Sequence, residues 1–232
     1  MILSFVHNET LKVWRSVVFW VVAAVFITMP LLIGLFKQSD VPWATYYDDL
    51  FNSIASLLVV GFSFTSAWVF GREYTDKTIK DLLVKPIPKL YSVLSKFIVI
   101  TMWNALIAIL TFALITCAGA LIGVNGGSLS TILQFFGTFM LTALLIMAVS
   151  STSALVANVT KGYLAAIGLI FVIIIASNAI VQLGFGPYFP WTIPVLLTKG
   201  ADIGFISYCI LALTAIAGFA GTVAWWRFAE HK

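Results

Sequence analysis

Apolar and polar positions along the chain fall into long blocks, not short alternations. Residues 16–36, 50–71, 97–160, 162–198 and 203–226 carry no Asp, Glu, Lys or Arg. A helix that crosses a hydrocarbon core of about 30 Å needs about 20 apolar residues. The first, second and last blocks each supply one such helix. The block 97–160 is too long for one, and it breaks at the turn-rich run Gly123-Val-Asn-Gly-Gly-Ser-Leu-Ser130. The block from Gly162 holds one span to about Phe185, followed by apolar sequence broken by prolines. The pattern predicts six spans, near 16–36, 51–70, 97–122, 132–156, 163–185 and 205–226. A transmembrane β-barrel would show alternating segments of about ten residues, which these unbroken runs are not. The first apolar run exceeds the usual 7–15 or so residues of a secretory leader, and Gly34-Leu-Phe-Lys37 offers no small-residue cleavage site. It is expected to be retained. The expected fold is an all-α integral membrane protein, one domain over 1–232, with no soluble domain attached.

Composition sharpens this. Hydrophobic residues make up 61% and charged residues 9%, against about 45–50% and about 25% for soluble domains. A soluble monomer and a disordered chain are both excluded. The net charge of +4 matters through its distribution. With six spans, Lys12, Arg15, Arg72, Lys77, Lys80, Lys85, Lys89, Lys96, Lys161, Arg227 and Lys232 fall on one side, and only Lys37 and Lys199 on the other. The positive-inside rule makes the crowded side, with both termini, cytoplasmic. Trp20, Trp68, Trp225 and Trp226 then sit near inner ends, and Trp43 and Trp191 near the outer face.

Much chemistry is excluded. The two histidines, His7 and His231, lie in the tails, and no expected span holds His, Asp, Glu, Lys or Arg in its interior. That removes the histidine needed by an intramembrane Ser–His or zinc enzyme, and the buried proton carrier of most proton-driven pumps. No G-x-x-x-x-G-K-[ST] run occurs, so any ATP hydrolysis belongs to another subunit. Cys117 and Cys209, both toward outer span ends, are expected as buried free thiols, with a disulfide between them as the alternative.

One loop is charged. Residues 72–96 carry nine of the chain's 22 charges. Ile79, Leu82 and Leu83 form a short apolar stripe, with Thr75 as N-cap, Asp76 in the first turn, and Pro86 and Pro88 as stops. Such a helix can lie on lipid headgroups or dock in a partner's groove; mixed charge favours the partner.

The order Glu73, Thr78, Leu82, Leu83, Pro86, Lys89, Lys96 resembles the cytoplasmic loop of type-2 ABC exporter permeases. The resemblance covers nearly the whole chain, including the six spans and the amphipathic start. It departs at Lys77, where that family often has Gly. It implies that residues 72–88 are a coupling helix seated on a cytoplasmic ATPase, with Glu73, Tyr74, Thr78, Ile79, Leu82, Leu83 and Pro86 as contact residues. It implies an interfacial elbow helix over 1–15. It also implies an outer re-entrant segment over 186–199, with Pro187, Pro190, Trp191 and Pro194 as gate residues. The implied assembly is two ATPase copies and a second permease chain, alike or a sister, in a bacterial-type cell membrane in contact with lipid. ATP and Mg are bound by the ATPase; the chain itself holds no cofactor, binds no nucleic acid and is not an enzyme.

Uncharged polar residues recur at helical spacing: Asn52, Ser56 and Ser63, extended by Ser66; Asn104 and Thr111; Asn178 and Gln182. They can line a pathway or hydrogen-bond between helices. The pairs Gly119/Gly123, Ala217/Gly221 and Ser153/Ala157 invite close helix contact. A pathway so poor in charge suits an amphipathic or hydrophobic cargo, such as a peptide, a peptide antibiotic or a lipid-like molecule. A haem-export permease and a non-transporting scaffold or sensor are the alternatives.

Overall fold

A computed structural model describes residues 2–37, 40–79, 88–201 and 203–228. The described chain is helical, with α1 Ile2–Trp14, α2 Val17–Leu35, α3 Trp43–Thr75, α4 Lys89–Ile122, α5 Leu129–Val159, α6 Leu164–Gln182, α7 Ile193–Thr198 and α8 Phe205–Phe228. A 3-10 turn, Gly186–Tyr188, precedes α7. Among the described residues, six helices (α2, α3, α4, α5, α6 and α8) are long and apolar enough to cross a membrane. They correspond one for one to the six expected spans, and the protein is a multi-pass membrane protein.

Local chemistry sets the breaks. Gly123 ends α4 at φ +80°, a conformation that favours glycine. Ser128 caps α5, accepting a hydrogen bond from the Thr131 N–H at 3.1 Å. Several helices outrun the apolar blocks. With 33 residues, α3 is about 50 Å long, so its ends reach past the hydrocarbon. Trp43 therefore opens α3 ahead of the apolar block. Thr75 closes α3, its hydroxyl donating to the Gly71 carbonyl at 3.3 Å. It does not cap a new helix, and Arg72–Thr75 belong to α3. Lys77, at the position where glycine was expected, adopts φ +59°, the left-handed turn that glycine would serve.

Of the six, α3 is the most enclosed. Helix α5 packs along it, α8 packs on α5, α2 and α1 pack on α4, and α6 and α7 close against α3. Helices α5 and α8 approach closely. A Cβ on Gly218 would stand 2.6 Å from the Thr152 backbone nitrogen, and Ser151 Oγ donates to the Ala215 carbonyl at 3.1 Å. Gly221 meets Leu155, and Gly119 lies under the Trp43 and Tyr46 rings. Ala157 is enclosed with Ala67 and Ala166.

The two ends of the bundle differ. At one, Trp43 N–H donates to the Asn125 carbonyl and Asn125 N–H to the Val41 carbonyl, each at 3.2 Å. Tyr47 stacks on Phe135 with centroids 4.9 Å apart. At the other lie the C-terminal ends of α3, α5 and α8 with the N-terminal ends of α4 and α6, the alternation that six crossings require. The cysteines depart from expectation: Cys117 is exposed on α4, Cys209 is half-buried, and both are free thiols.

Candidate functional site

At the basic end, five charged side chains from three helices converge. Lys96, the eighth residue of α4, is 0% exposed. Its Nζ donates to Glu73 Oε1 at 2.6 Å and to Glu9 Oε2 at 2.9 Å. Lys12 on α1 donates to Glu9 Oε1 at 3.0 Å and Glu73 Oε1 at 3.3 Å. Arg72 lies 3.7 Å from Glu9, donates to the Lys12 carbonyl at 3.4 Å, and stacks over the Trp68 ring. Thr78 donates its hydroxyl to Glu73 Oε2. Charges taken this far from water persist only when paired and hydrogen-bonded. Burial by itself would raise the Glu9 carboxyl, but Lys96 and then Lys12 outweigh it and hold it below the ordinary 4.5. Burial would lower Lys12, but Glu9 and then Glu73 lift it above the ordinary 10.5. The cluster ties α1, α3 and α4 through one lysine. A cleft of about 460 Å³ opens beside it, lined by Lys12, Arg15, Trp68, Arg72, Thr78 and Tyr163 among others.

The sequence casts Glu73 as an anchor for a partner ATPase. In the fold its carboxylate is 2% exposed and engaged by this chain's own Lys12 and Lys96. Tyr74 also turns inward. Its hydroxyl donates to Asn158 Oδ1 at 3.2 Å and accepts from Trp225 Nε1 at 3.1 Å, while Trp226 Nε1 donates to the same Asn158 oxygen at 2.7 Å. Ile79 is buried. Leu82, Leu83 and Pro86 lie outside the described residues. In the sequence Lys96 stands out only as the last position of the loop motif, and Glu9 and Lys12 belong to no motif. The available signal was that Glu9 is the one acidic residue before the first span and Lys96 the last charge before the third.

Toward the opposite end, α3, α6 and α7 enclose a groove of about 410 Å³. Asn52 and Ser56 from α3 face Asn178 and Gln182 from α6, with Trp191, Thr192 and Lys199 from the α7 segment. Val59, Ile174, Val181, Val195 and Leu196 supply its apolar wall. Four of the eight polar residues noted at helical spacing thus meet in one amphipathic groove, and Ser66 is buried away from it. The other three do not join it. Ser63 is buried and shares a 3.2 Å hydrogen bond with Ser150 on α5. Thr111 is buried, its hydroxyl 3.5 Å from the Phe26 carbonyl. Asn104 is buried with neither amide atom hydrogen-bonded. Ser177, Thr192 and Lys199 join the groove unannounced by spacing.

The outer prolines divide as well. Pro194 is buried in the first turn of α7, while Pro187 and Pro190 are half-buried in the turns before it. Thr192 braces this segment, donating to the Gly186 and Phe189 carbonyls. Trp191 Nε1 is buried without an acceptor.

Comparison with known proteins settles the class. Residues 5–177 match the ABC-2 family transporter protein. The chain belongs to the ABC-2 transporter family. It is also 25% identical over 205 residues to the bacitracin transport permease protein of Bacillus licheniformis, covering 82% of this chain and 95% of that one. ABC-2 permeases are transport subunits, not enzymes, and they work with a cytoplasmic ABC ATPase. An intramembrane enzyme is thereby set aside, and this chain is a membrane-spanning ABC-2 permease.

Proposed function

We propose that this permease exports an amphipathic cargo, a peptide antibiotic or lipid-like molecule, through the groove between α3, α6 and α7. The carrying observation is that Asn52, Ser56, Asn178 and Gln182 meet there against an apolar wall. Hydroxyls and amides can exchange hydrogen bonds with a moving cargo without the desolvation cost of fixed charges. The charge asymmetry supports an inward-facing basic end with both termini cytoplasmic. Two ATPase copies, holding ATP and Mg, and a second permease chain complete the proposed assembly. Residues 72–88 are the proposed coupling segment, and α1 the interfacial elbow. Residues 186–199, with Pro187, Pro190, Trp191 and Pro194, are the proposed outer gate.

Glu73 has a definite part in this reading. A pull on the loop after α3 reaches Glu73 directly through Thr78, and Lys96 and Lys12 hold that same carboxylate. The cluster then carries motion to α4 and α1 together. Bacitracin, named for the Bacillus relative, is the first cargo to test. A bacitracin-sensitive host expressing the permease with its ATPase should gain resistance. Asn178→Leu with Gln182→Leu should abolish that gain while membrane levels stay unchanged, since both side chains are exposed. Undiminished resistance in the double variant counts against the groove as the route.

A further inference from the structure

We infer that Lys199 makes the groove selective for amphiphiles with an anionic head group, an inference that rests on the groove being the cargo surface. The groove's polar wall is neutral apart from one charge. Asn52 and Gln182 can each donate or accept, Ser56 and Asn178 already donate to the Asn52 and Ile174 carbonyls, and among the described residues no carboxylate lines it. Lys199 adds three donors and a full positive charge and accepts nothing. Trp191 also lines the groove, and its Nε1 is enclosed with no acceptor among the described residues. A buried N–H without a partner carries a cost that an acceptor on a bound molecule removes. The one fixed cation calls for a ligand rich in acceptors.

Lys37, the other basic residue on this side, is held by Asp49 at 3.4 Å. Lys199 makes no ion pair among the described residues. It follows the last residue of α7, where the terminal carbonyls favour a cation. Apolar Val59, Ile174 and Leu196 complete the site for a hydrocarbon tail. The geometry therefore matches a phosphate or carboxylate head on an apolar body, and disfavours a cationic amphiphile of the same length.

The test uses the permease–ATPase complex in phosphatidylcholine vesicles, with empty vesicles subtracted. Two dansyl-labelled dodecyl probes differ only in a phosphate or a trimethylammonium head. The wild-type complex should bind the phosphate probe on the order of tenfold more tightly, as one unit charge in a half-wet groove allows. Lys199→Gln should erase the preference, Lys199→Glu should reverse it, and Lys199→Arg should keep it. Lys199 is exposed, so these variants are expected to fold, checked by the melting temperature of the complex. An unchanged preference in Lys199→Gln overturns the inference. If Asn178→Leu with Gln182→Leu weakens both probes in that case, the groove survives and only the role of Lys199 falls. If neither change alters binding, the groove reading falls with it.

Discussion

Lys96→Met puts the buried charge cluster to a quantitative test. The substitution keeps most of the volume and the apolar stem but removes the one fully buried ammonium. Its contacts at 2.6 and 2.9 Å are the shortest ion pairs in the cluster. What remains is Lys12, whose side chain is 42% exposed and therefore screened by water, and Arg72 at 3.7 Å. Neither can replace Lys96, because both carboxylates are almost fully enclosed. Breaking a buried pair from one side costs about 3–5 kcal/mol, since the partner charge is left uncompensated. Glu73→Gln should cost a similar amount. The double variant should be less damaged than the sum of the singles, with a coupling of about 1–3 kcal/mol. Unfolding of the permease in mixed detergent–SDS micelles, followed by circular dichroism, gives all three values. Additivity within about 0.5 kcal/mol would show that Lys96 and Glu73 are independent, and the cluster could not be a mechanical link.

Three further outcomes are expected. The first concerns pH. Glu9 titrates below its ordinary 4.5 when folded, so its contribution is present above that value and disappears as pH falls through the depressed one. Lys12 titrates above its ordinary 10.5, so its contribution is full below that value and is lost as pH rises through the elevated one. Stability in micelles should therefore show a plateau between these limits, and Glu9→Gln should flatten the acid arm. Asn104→Leu should stabilise the bundle by about 1–3 kcal/mol in the same SDS assay, because it removes an unpaired buried amide. Transport should be unaffected by it. Gly218→Val should lower stability by about 1–3 kcal/mol, seen as a drop in melting temperature, because its Cβ would collide with the Thr152 backbone.

The polar stripe on α3 shows how far the sequence was legible. Asn52, Ser56 and Ser63 share one helical face by spacing alone. In the fold that face changes surroundings along its length: Asn52 and Ser56 open on the groove, and Ser63 is pressed against Ser150. The spacing recorded the face, but not that α5 covers one part of it. Asn178 and Gln182 fared better, because α6 stays at the edge of the bundle and keeps its polar residues exposed.

By itself, the sequence determined the six crossings and the basic end. Both follow from local free energies: an apolar run of helical length belongs in hydrocarbon wherever its neighbours go, and a lysine's sidedness is set by the membrane. Pairing was decided only by the tertiary structure. Lys96 meets Glu73 across 23 positions and Glu9 across 87, and Lys199 comes to face residues of α3 and α6. Such contacts depend on which helices lie side by side, and that choice is made by packing of small residues such as Gly218 against Ser151, not by any property legible in one span.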